Sequence, residues 1–259
     1  PILFVIANQK GGVGKTTTAT NLAGILSREA KTLLIDADAQ GNSSSTYDAR
    51  IKGHATLYDV IIDEDAIPLD EAIQHTKNGD IVAADPLLAK AEKILDGDIE
   101  GFYRLKDALD NLKDYEYVVI DTAPSLNITL YNCLIAADEV IIPVTADAYS
   151  LQGIDQLCST IMSVKKRQNP RLSIAGLLLI RYSGRSNLDR AAHAEIEAKA
   201  AEMKTKLFNT SIRECVKTKE AQDAHELLIT YAPKCTTMLD YIDFANELVP
   251  HKKGRKKKK

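Results

Sequence analysis

The 259-residue sequence lacks the long apolar runs and the paired cysteines that mark several classes of protein. No run reaches the roughly 18 apolar residues that a membrane-spanning helix needs. The four cysteines are far apart and form no C-x-x-C pair, which excludes a metal knuckle and fits a reduced cytosolic protein without a disulfide framework. Residues 1–8 carry no basic segment ahead of their apolar residues, so they indicate a buried first strand rather than a secretory signal.

The sequence also lacks a large excess of charge of either sign, because the formal net charge is only -3. Positive charge is nevertheless concentrated at the end of the chain, where HKKGRKKKK contains seven Lys or Arg in nine residues. Like charges repel and nothing apolar is available to bury, so we predict a single domain over residues 1–250 and a disordered basic tail over 251–259. The tail could serve solubility alone or contact nucleic acid or an acidic membrane, and both possibilities stay open.

Short runs rich in Val, Ile and Leu recur along the chain and alternate with stretches typical of helices. Continuously apolar runs indicate strands covered on both faces, and strands that alternate with helices indicate βαβ units. We therefore predict an α/β fold with a mostly parallel, twisted sheet and helices on both faces. The predicted strands are residues 2–8, 32–38, 80–84, 117–123, 139–145, 174–182 and 208–212, and residues 183–206 and 233–249 are predicted helices.

The segment NQKGGVGKTT, residues 8–17, follows the first predicted strand, and a helix is predicted to begin near Lys15. Its glycines let the backbone turn several N–H groups inward, and the helix N-terminus adds partial positive charge, so the segment suits a polyphosphate. Lys15 would reach the β- and γ-phosphates of ATP, and the Thr16 hydroxyl would ligate Mg²⁺. The loop departs from the ordinary pattern because Gln9 replaces the first glycine and Lys10 adds a second lysine. The residues predicted to bind the nucleotide are Lys10, Gly11, Gly12, Val13, Gly14, Lys15, Thr16 and Thr17.

Three aspartates end predicted strands at the sheet edge where parallel α/β folds bind ligands. Asp121, in VVIDTAPS, is placed to hold Mg²⁺ through water, and Asp36 and Asp38 end another strand in LLIDADAQGN. One such Asp could equally be a cap or a turn residue. Three of them beside a phosphate loop favour a nucleotide and metal site.

The motifs KGGVGKTT, DADAQGN and VVIDTAPS, in this order, resemble those of the deviant Walker A ATPases, and within them the ParA/Soj partition proteins. The resemblance covers nearly the whole chain and implies a P-loop NTPase fold with slow, Mg²⁺-dependent, partner-stimulated ATPase activity. It implies that Lys10 reaches across a homodimer that sandwiches two ATP molecules and contacts the nucleotide of the other subunit. It also implies that Asp38 places the attacking water, while Asp36 and Asp121 lie in or near the Mg²⁺ shell. The catalytic residues would then be Lys10, Lys15 and Asp38.

The resemblance further implies that the ATP dimer binds DNA without sequence preference. It would position a plasmid or chromosome together with a ParB-type centromere-binding partner, in the cytoplasm and on the nucleoid. The candidate DNA contacts are Arg185, Arg213 and Lys217, although isolated basic residues usually form a solvated face. The stretch 181–187 departs from the family's pattern at Ser183, and Arg181 could line the adenine pocket instead.

Two other classes of function stay open. A MinD-like membrane-associated positioning ATPase is supported by the basic tail alone, and the acids on the polar side of the last predicted helix disfavour an anionic membrane, so no stable membrane association is expected. A metabolic ATP-dependent enzyme, such as a dethiobiotin-synthase relative, is disfavoured by Lys10 and by the ParA-like second half. The cysteines lack the motifs of the nitrogenase-reductase and iron–sulfur carrier relatives. A helix-turn-helix autorepressor of the larger ParA type is not expected either.

Overall fold

The computed structural model describes residues 1–62, 66–95, 98, 100–147, 151, 153–184 and 186–250. Within these residues, one sheet has seven strands in the order β3-β4-β2-β5-β1-β6-β7. The strands are β1 (Ile2–Ile6), β2 (Thr32–Ala37), β3 (Ile73–Thr76), β4 (Gly79–Val82), β5 (Tyr117–Thr122), β6 (Glu139–Thr145) and β7 (Ser173–Ile180). Neighbouring strands are parallel except in the β3–β4 hairpin. The prediction of a mostly parallel α/β fold is confirmed.

Helices connect the strands and cover both faces of the sheet. The α-helices are α1 (Lys15–Leu26), α2 (Asn42–Thr46), α3 (Leu57–Ile61), α4 (Ala91–Leu95), α5 (Arg104–Asp110), α6 (Ile128–Ala136), α7 (Ile154–Arg167), α8 (Asn187–Glu202), α9 (Val216–Asp223), α10 (Leu228–Tyr231) and α11 (Thr236–Leu248). Short 3-10 helices span Leu69–Ala72, Pro86–Lys90 and Glu100–Phe102. In the described part of the chain, no helix has both the length and the apolar character needed to cross a bilayer.

The predicted helix at 183–206 is shorter in the structure, where it forms α8. It begins after Ser186 because that hydroxyl accepts a hydrogen bond from the Asp189 amide and caps the first turn. The predicted C-terminal helix forms α11, which begins shortly after Pro233. The predicted basic tail, residues 251–259, lies outside the described residues.

The apolar core has two layers, one on each face of the sheet. Successive residues of a strand point to opposite faces, so Leu3 and Val5 of β1 pack in the layer that includes α3, α5, α6, α7 and α8. Phe4 and Ile6 pack in the other layer, against α1, α10 and α11. Burial on both faces explains why the central strands are continuously apolar.

The predicted strand at residues 208–212 is wrong. This segment runs beside β7 and forms isolated parallel bridges at Leu207 and Ile212. Between the bridges, the amides of Asn209 and Thr210 donate to the Glu247 carboxylate of α11 at 2.8 and 2.9 Å. Because a side chain takes these donors, a continuous ladder does not form.

Strand β3 was not predicted from the sequence. It pairs antiparallel with β4 at the edge of the sheet, across a turn at residues 77–78. Its sequence, IQHT, contains one apolar residue and so lacks the pattern of a buried strand. Polar residues suit such an edge because one side of the strand faces solvent.

Candidate nucleotide site

The loop between β1 and α1 is a tight turn that depends on glycine. Gly12 and Gly14 have φ values of 72° and 76°, in the left-handed region that side chains disfavour. A Cβ at Gly11 or Gly12 would meet nothing within 4 Å, whereas one at Gly14 would lie 3.3 Å from Ile180 Cγ2. The loop therefore packs against β7 at Gly14 and borders open space at Gly11 and Gly12, where a phosphate can approach the backbone.

Asn8, at the end of β1, holds the start of this loop in place. Its buried amide donates to the Pro143 carbonyl of β6 at 2.7 Å. Its Oδ1 accepts the Lys10 amide at 2.9 Å. Sequence analysis did not single out Asn8, although a polar residue that ends a buried strand beside a glycine loop is a usable signal.

Lys15 lies inside the cradle, the name used here for the concave backbone of the loop at residues 8–14. It is the first residue of α1, and its buried Nζ donates to the Lys10 carbonyl at 3.0 Å. Burial lowers the pKa of Lys15, while the nearby Asp121 and Asp38 carboxylates oppose this effect. The ammonium is therefore held close to loop carbonyls and acids, at the position where a phosphate would neutralise it.

Lys10 points to the rim of the loop instead. Its Nζ contacts both carboxylate oxygens of Asp147, at 2.6 and 2.8 Å. Asp147 follows β6 and also accepts the Thr145 hydroxyl. The Lys10 and Asp147 side chains are 31% and 45% exposed, so the ion pair borders solvent. The two lysines of one loop thus occupy different environments.

Asp36 and Asp121 are neighbours across two central strands. The β2–β5 register pairs them, so both carboxyl groups point to the same face. Asp36 Oδ1 accepts the Asp38 amide at 3.2 Å, and its Oδ2 accepts the amide and the hydroxyl of Ser44, both at 2.7 Å. Burial and the adjacent Asp121 raise the pKa of Asp36 to about 7. Both Asp36 oxygens are already engaged, so this carboxyl supports the loop that follows β2.

Asp121 retains an unused oxygen. Its Oδ2 accepts the Ser43 hydroxyl at 2.8 Å, whereas Oδ1 is buried without a hydrogen-bond partner in the structure. Burial raises the pKa of Asp121 to about 6, although the Ser43 and Thr16 hydroxyls act in the opposite direction. An unused carboxylate oxygen near the Thr16 hydroxyl fits Mg²⁺, which uses few protein ligands and completes its shell with water and phosphate. No group of three or more His, Cys, Asp or Glu able to hold a metal occurs among the described residues.

Asp38 follows β2 and lines a cleft of about 450 Å³ that opens in front of the glycine loop. Its Oδ1 accepts the Gln40 amide at 3.0 Å, which fixes the orientation of the carboxyl group. A carboxylate in the wall of a cleft of this size can orient a water molecule, which is the role that the family resemblance implies for Asp38.

The far walls of the cleft come from β7 and α9. Arg181 follows β7 with a left-handed φ of 56°, and its guanidinium donates to the Gly12 carbonyl at 2.5 Å. Gln222 of α9 donates to the Thr17 hydroxyl at 2.8 Å. A concave site with convergent polar groups is typical of small-molecule binding. Gln222 was not predicted, because it is far from the loop in sequence.

The candidate DNA-binding residues are only partly described. Arg185 lies outside the described residues. Arg213 lines the nucleotide cleft, and its guanidinium binds the Asp240 carboxylate of α11, with Nε–Oδ2 and Nη2–Oδ1 distances of 2.9 and 2.6 Å. Lys217 of α9 is half-exposed and pairs with Glu220 at 2.6 Å. Arg213 and Lys217 therefore lie near the two ends of one short segment that borders the cleft.

Comparison with known proteins agrees with this architecture. A family model described as an AAA domain matches residues 2–174. The chain is 36% identical to the chromosome partitioning protein ParA of Caulobacter vibrioides, over 99% of this chain and 97% of that protein. It is also 36% identical to the sporulation initiation inhibitor protein Soj of Bacillus subtilis, over 95% of this chain and 97% of Soj.

Solved structures show the same fold. Cobyrinic acid a,c-diamide synthase from Mycobacterium smegmatis, with bound ADP and magnesium, gives a TM-score of 0.81 at 27% identity, over 95% of this chain and 92% of that one. A plasmid partition protein from Borrelia burgdorferi, bound to AMPPNP, gives 0.78 at 26% identity, over 96% of each chain. Together with the near full-length sequence matches, these likenesses show that the chain belongs to the ParA/Soj family of partition ATPases, within the deviant Walker A superfamily.

Proposed function

We propose that the protein hydrolyses ATP with Mg²⁺ and that its ATP-bound state is a homodimer that binds DNA and positions a plasmid or chromosome. The observation that carries this proposal is the separation of two lysines around one loop. Lys15 lies in the cradle, whereas Lys10 is held at the rim by Asp147. A lysine at the rim is placed to reach a nucleotide bound by a second copy of the chain.

Within one protomer, the loop amides and Lys15 would bind the β- and γ-phosphates. Thr16 and Asp121 would hold Mg²⁺, which supplies neutralisation of phosphate charge when it is bound. Asp38 would orient the attacking water from the wall of the cleft. The related structures that contain ADP with magnesium or AMPPNP support this assignment.

Dimerisation would exchange the partner of Lys10. In the free protomer its ammonium binds one carboxylate, that of Asp147. In the dimer it would bind the γ-phosphate of the other subunit's ATP, which carries more negative charge, in the manner of an arginine finger. ADP lacks this phosphate and would therefore stabilise the dimer less than ATP does. The fraction of dimer would then depend on which nucleotide is bound.

The ATP dimer would bring two sets of basic residues onto one DNA duplex. Lys217 and Arg213 lie on the segment that borders the cleft, and Arg185 and the tail 251–259 would add further positive charge. Phosphate contacts of this kind carry no sequence information. A ParB-type partner would stimulate the ATPase, and the nucleoid would be the site of action. The relatives named as chromosome and plasmid partition proteins support this proposal.

The test compares two lysine variants for ATP binding and for ATP-dependent dimerisation, measured by a fluorescent nucleotide and by light scattering. Lys15→Ala should lose nucleotide binding. Lys10→Ala should bind ATP but neither dimerise nor hydrolyse it efficiently. Lys217→Ala is the matched control, because it removes the same charge yet should bind ATP and dimerise normally. Wild-type dimerisation of Lys10→Ala would refute the cross-subunit role.

A further inference from the structure

The residues at the end of β7 contact the phosphate loop, the segment between β1 and α1, at two points. Ile180 is the last residue of β7 and packs so closely on Gly14 that a Cβ there would lie 3.3 Å from its Cγ2. Arg181 comes next, and its guanidinium donates to the Gly12 carbonyl at 2.5 Å. Gly12 and Gly14 are the two glycines of the loop that have a positive φ. The end of β7 therefore holds the loop where its backbone turns.

The backbone at Arg181 is itself fixed in an uncommon conformation. Its φ of 56° lies in the left-handed region, which costs free energy for a residue with a side chain. Two hydrogen bonds from a neighbouring segment hold the chain on either side of it. The Ile212 amide donates to the Leu179 carbonyl at 2.8 Å, and the Tyr182 amide donates to the Ile212 carbonyl at 3.2 Å. These bonds fix the point from which the Arg181 side chain reaches the loop.

The bond from Arg181 orients a peptide group that side-chain packing leaves free. Gly12 is exposed, a Cβ there would meet nothing within 4 Å, and glycine has wide conformational freedom. The described peptide bonds are trans, so the Val13 N–H points opposite to the Gly12 carbonyl that Arg181 binds. The Val13 side chain is buried, which anchors the other end of this peptide. Backbone N–H groups of such loops are the groups that bind phosphates.

We propose that Arg181 is a positioning residue for the phosphate loop: it holds the Gly12 carbonyl so that the Val13 N–H stays directed at the phosphates of the nucleotide. A loop that already has its binding conformation loses less conformational freedom when the nucleotide binds, and this raises affinity. Arg181 then acts on the phosphates through the loop, and not on the adenine. Its effect on nucleotide affinity rests on the proposed function, whereas its effect on the order of the loop does not.

The first experiment observes the loop without nucleotide, by NMR of protein labelled with ¹⁵N-valine. Arg181→Ala should lower the order parameter of the Val13 amide or add relaxation dispersion to its signal, because the peptide is released. Arg171→Ala is the matched control, because it removes an exposed arginine just before the opposite end of β7, and it should leave the Val13 signal unchanged. A Val13 amide that is equally ordered in folded Arg181→Ala and in the wild type would overturn the proposal.

The second experiment measures the affinity for ADP and for pyrophosphate, each with Mg²⁺, by isothermal titration calorimetry. Arg181→Ala should weaken both by the same factor, roughly 10-fold, which is the size expected of one hydrogen bond that involves a charged group. Arg171→Ala should bind both as the wild type does. A loss confined to ADP would place Arg181 in the adenine pocket and overturn the proposal.

Salt separates an effect on loop geometry from the simple loss of a positive charge. The factor should persist when the salt concentration is raised from about 0.05 M to about 0.5 M, whereas a loss due to charge alone would shrink through screening. A factor that disappears at high salt would therefore also overturn the proposal. If the wild type binds neither ADP nor pyrophosphate, the proposed function fails, and the Val13 measurement still decides whether Arg181 orders the loop.

Discussion

The substitution Asp147→Asn should strengthen ATP-dependent dimerisation. In the free protomer the Asp147 carboxylate holds Lys10 through contacts of 2.6 and 2.8 Å. If Lys10 must leave this partner to reach the other subunit's nucleotide, the ion pair opposes dimer formation. Asparagine keeps the size of the side chain and removes its charge, so Lys10 would be released more readily.

The size of the effect follows from the exposure of the pair. The Lys10 and Asp147 side chains are 31% and 45% exposed, and ion pairs at such positions contribute about 0.2–1 kcal/mol each. A symmetric dimer releases two lysines, so the total is about 0.4–2 kcal/mol. Because 1.4 kcal/mol is a factor of about ten, the dimer dissociation constant should fall roughly 2- to 30-fold. The gain should shrink as salt screens the pair.

Analytical ultracentrifugation with Mg²⁺ and AMPPNP would measure the dissociation constant without turnover. Asp155→Asn is the matched control, because it removes the same charge from an exposed aspartate whose ion-pair partner is Lys199 rather than Lys10. The double variant Lys10→Ala, Asp147→Asn should behave like Lys10→Ala, since the effect of Asp147 acts through Lys10. Unchanged or weaker dimerisation of a folded Asp147→Asn protein with normal nucleotide affinity would show that the ion pair does not restrain Lys10.

Four further predictions concern the cleft, the core and DNA. Lys15→Ala should abolish binding of a fluorescent ATP analogue while the thermal midpoint shows a folded protein; normal affinity would contradict its place in the cradle. Asp38→Ala should bind ATP and dimerise, but turnover measured by phosphate release should fall by about 100-fold or more, because water is no longer oriented; wild-type turnover would exclude that role. Gly176→Ala should lower the free energy of unfolding by about 1–3 kcal/mol in urea titrations, because overpacking strains a full core. Its new Cβ would lie 2.8 Å from Phe208 Cε2 and 2.9 Å from the Lys206 carbonyl oxygen, and an unchanged midpoint would mean that both the aromatic ring and this backbone segment move easily. Lys217→Ala should reduce the salt dependence of DNA binding by ATP dimers. The slope of log K against log salt concentration should become shallower by about 0.9 for each DNA phosphate that is no longer neutralised. An unchanged slope would mean that Lys217 does not contact DNA.

Local chemistry along the chain determines the sheet and the phosphate loop of this protein. Short, continuously apolar runs of Val, Ile and Leu that alternate with stretches typical of helices favour strands covered on both faces, so the parallel sheet was predictable. The phosphate loop was predictable because its glycines, of which Gly12 and Gly14 have positive φ, permit backbone geometry that other residues resist. A carboxylate at the end of a central strand, Asp121, followed from the edge at which parallel sheets bind ligands.

Tertiary structure alone decided which of these polar groups form hydrogen bonds or ion pairs within the protein. Asp36 and Asp121 look alike in sequence, yet the loop after β2 donates hydrogen bonds to both Asp36 oxygens, whereas one Asp121 oxygen has no partner among the described residues. The partner of Lys10, Asp147, is remote in sequence and meets it because β1 and β6 are adjacent strands. Such contacts join segments that no local pattern couples, because the free energy that brings them together comes from burial of the shared apolar core.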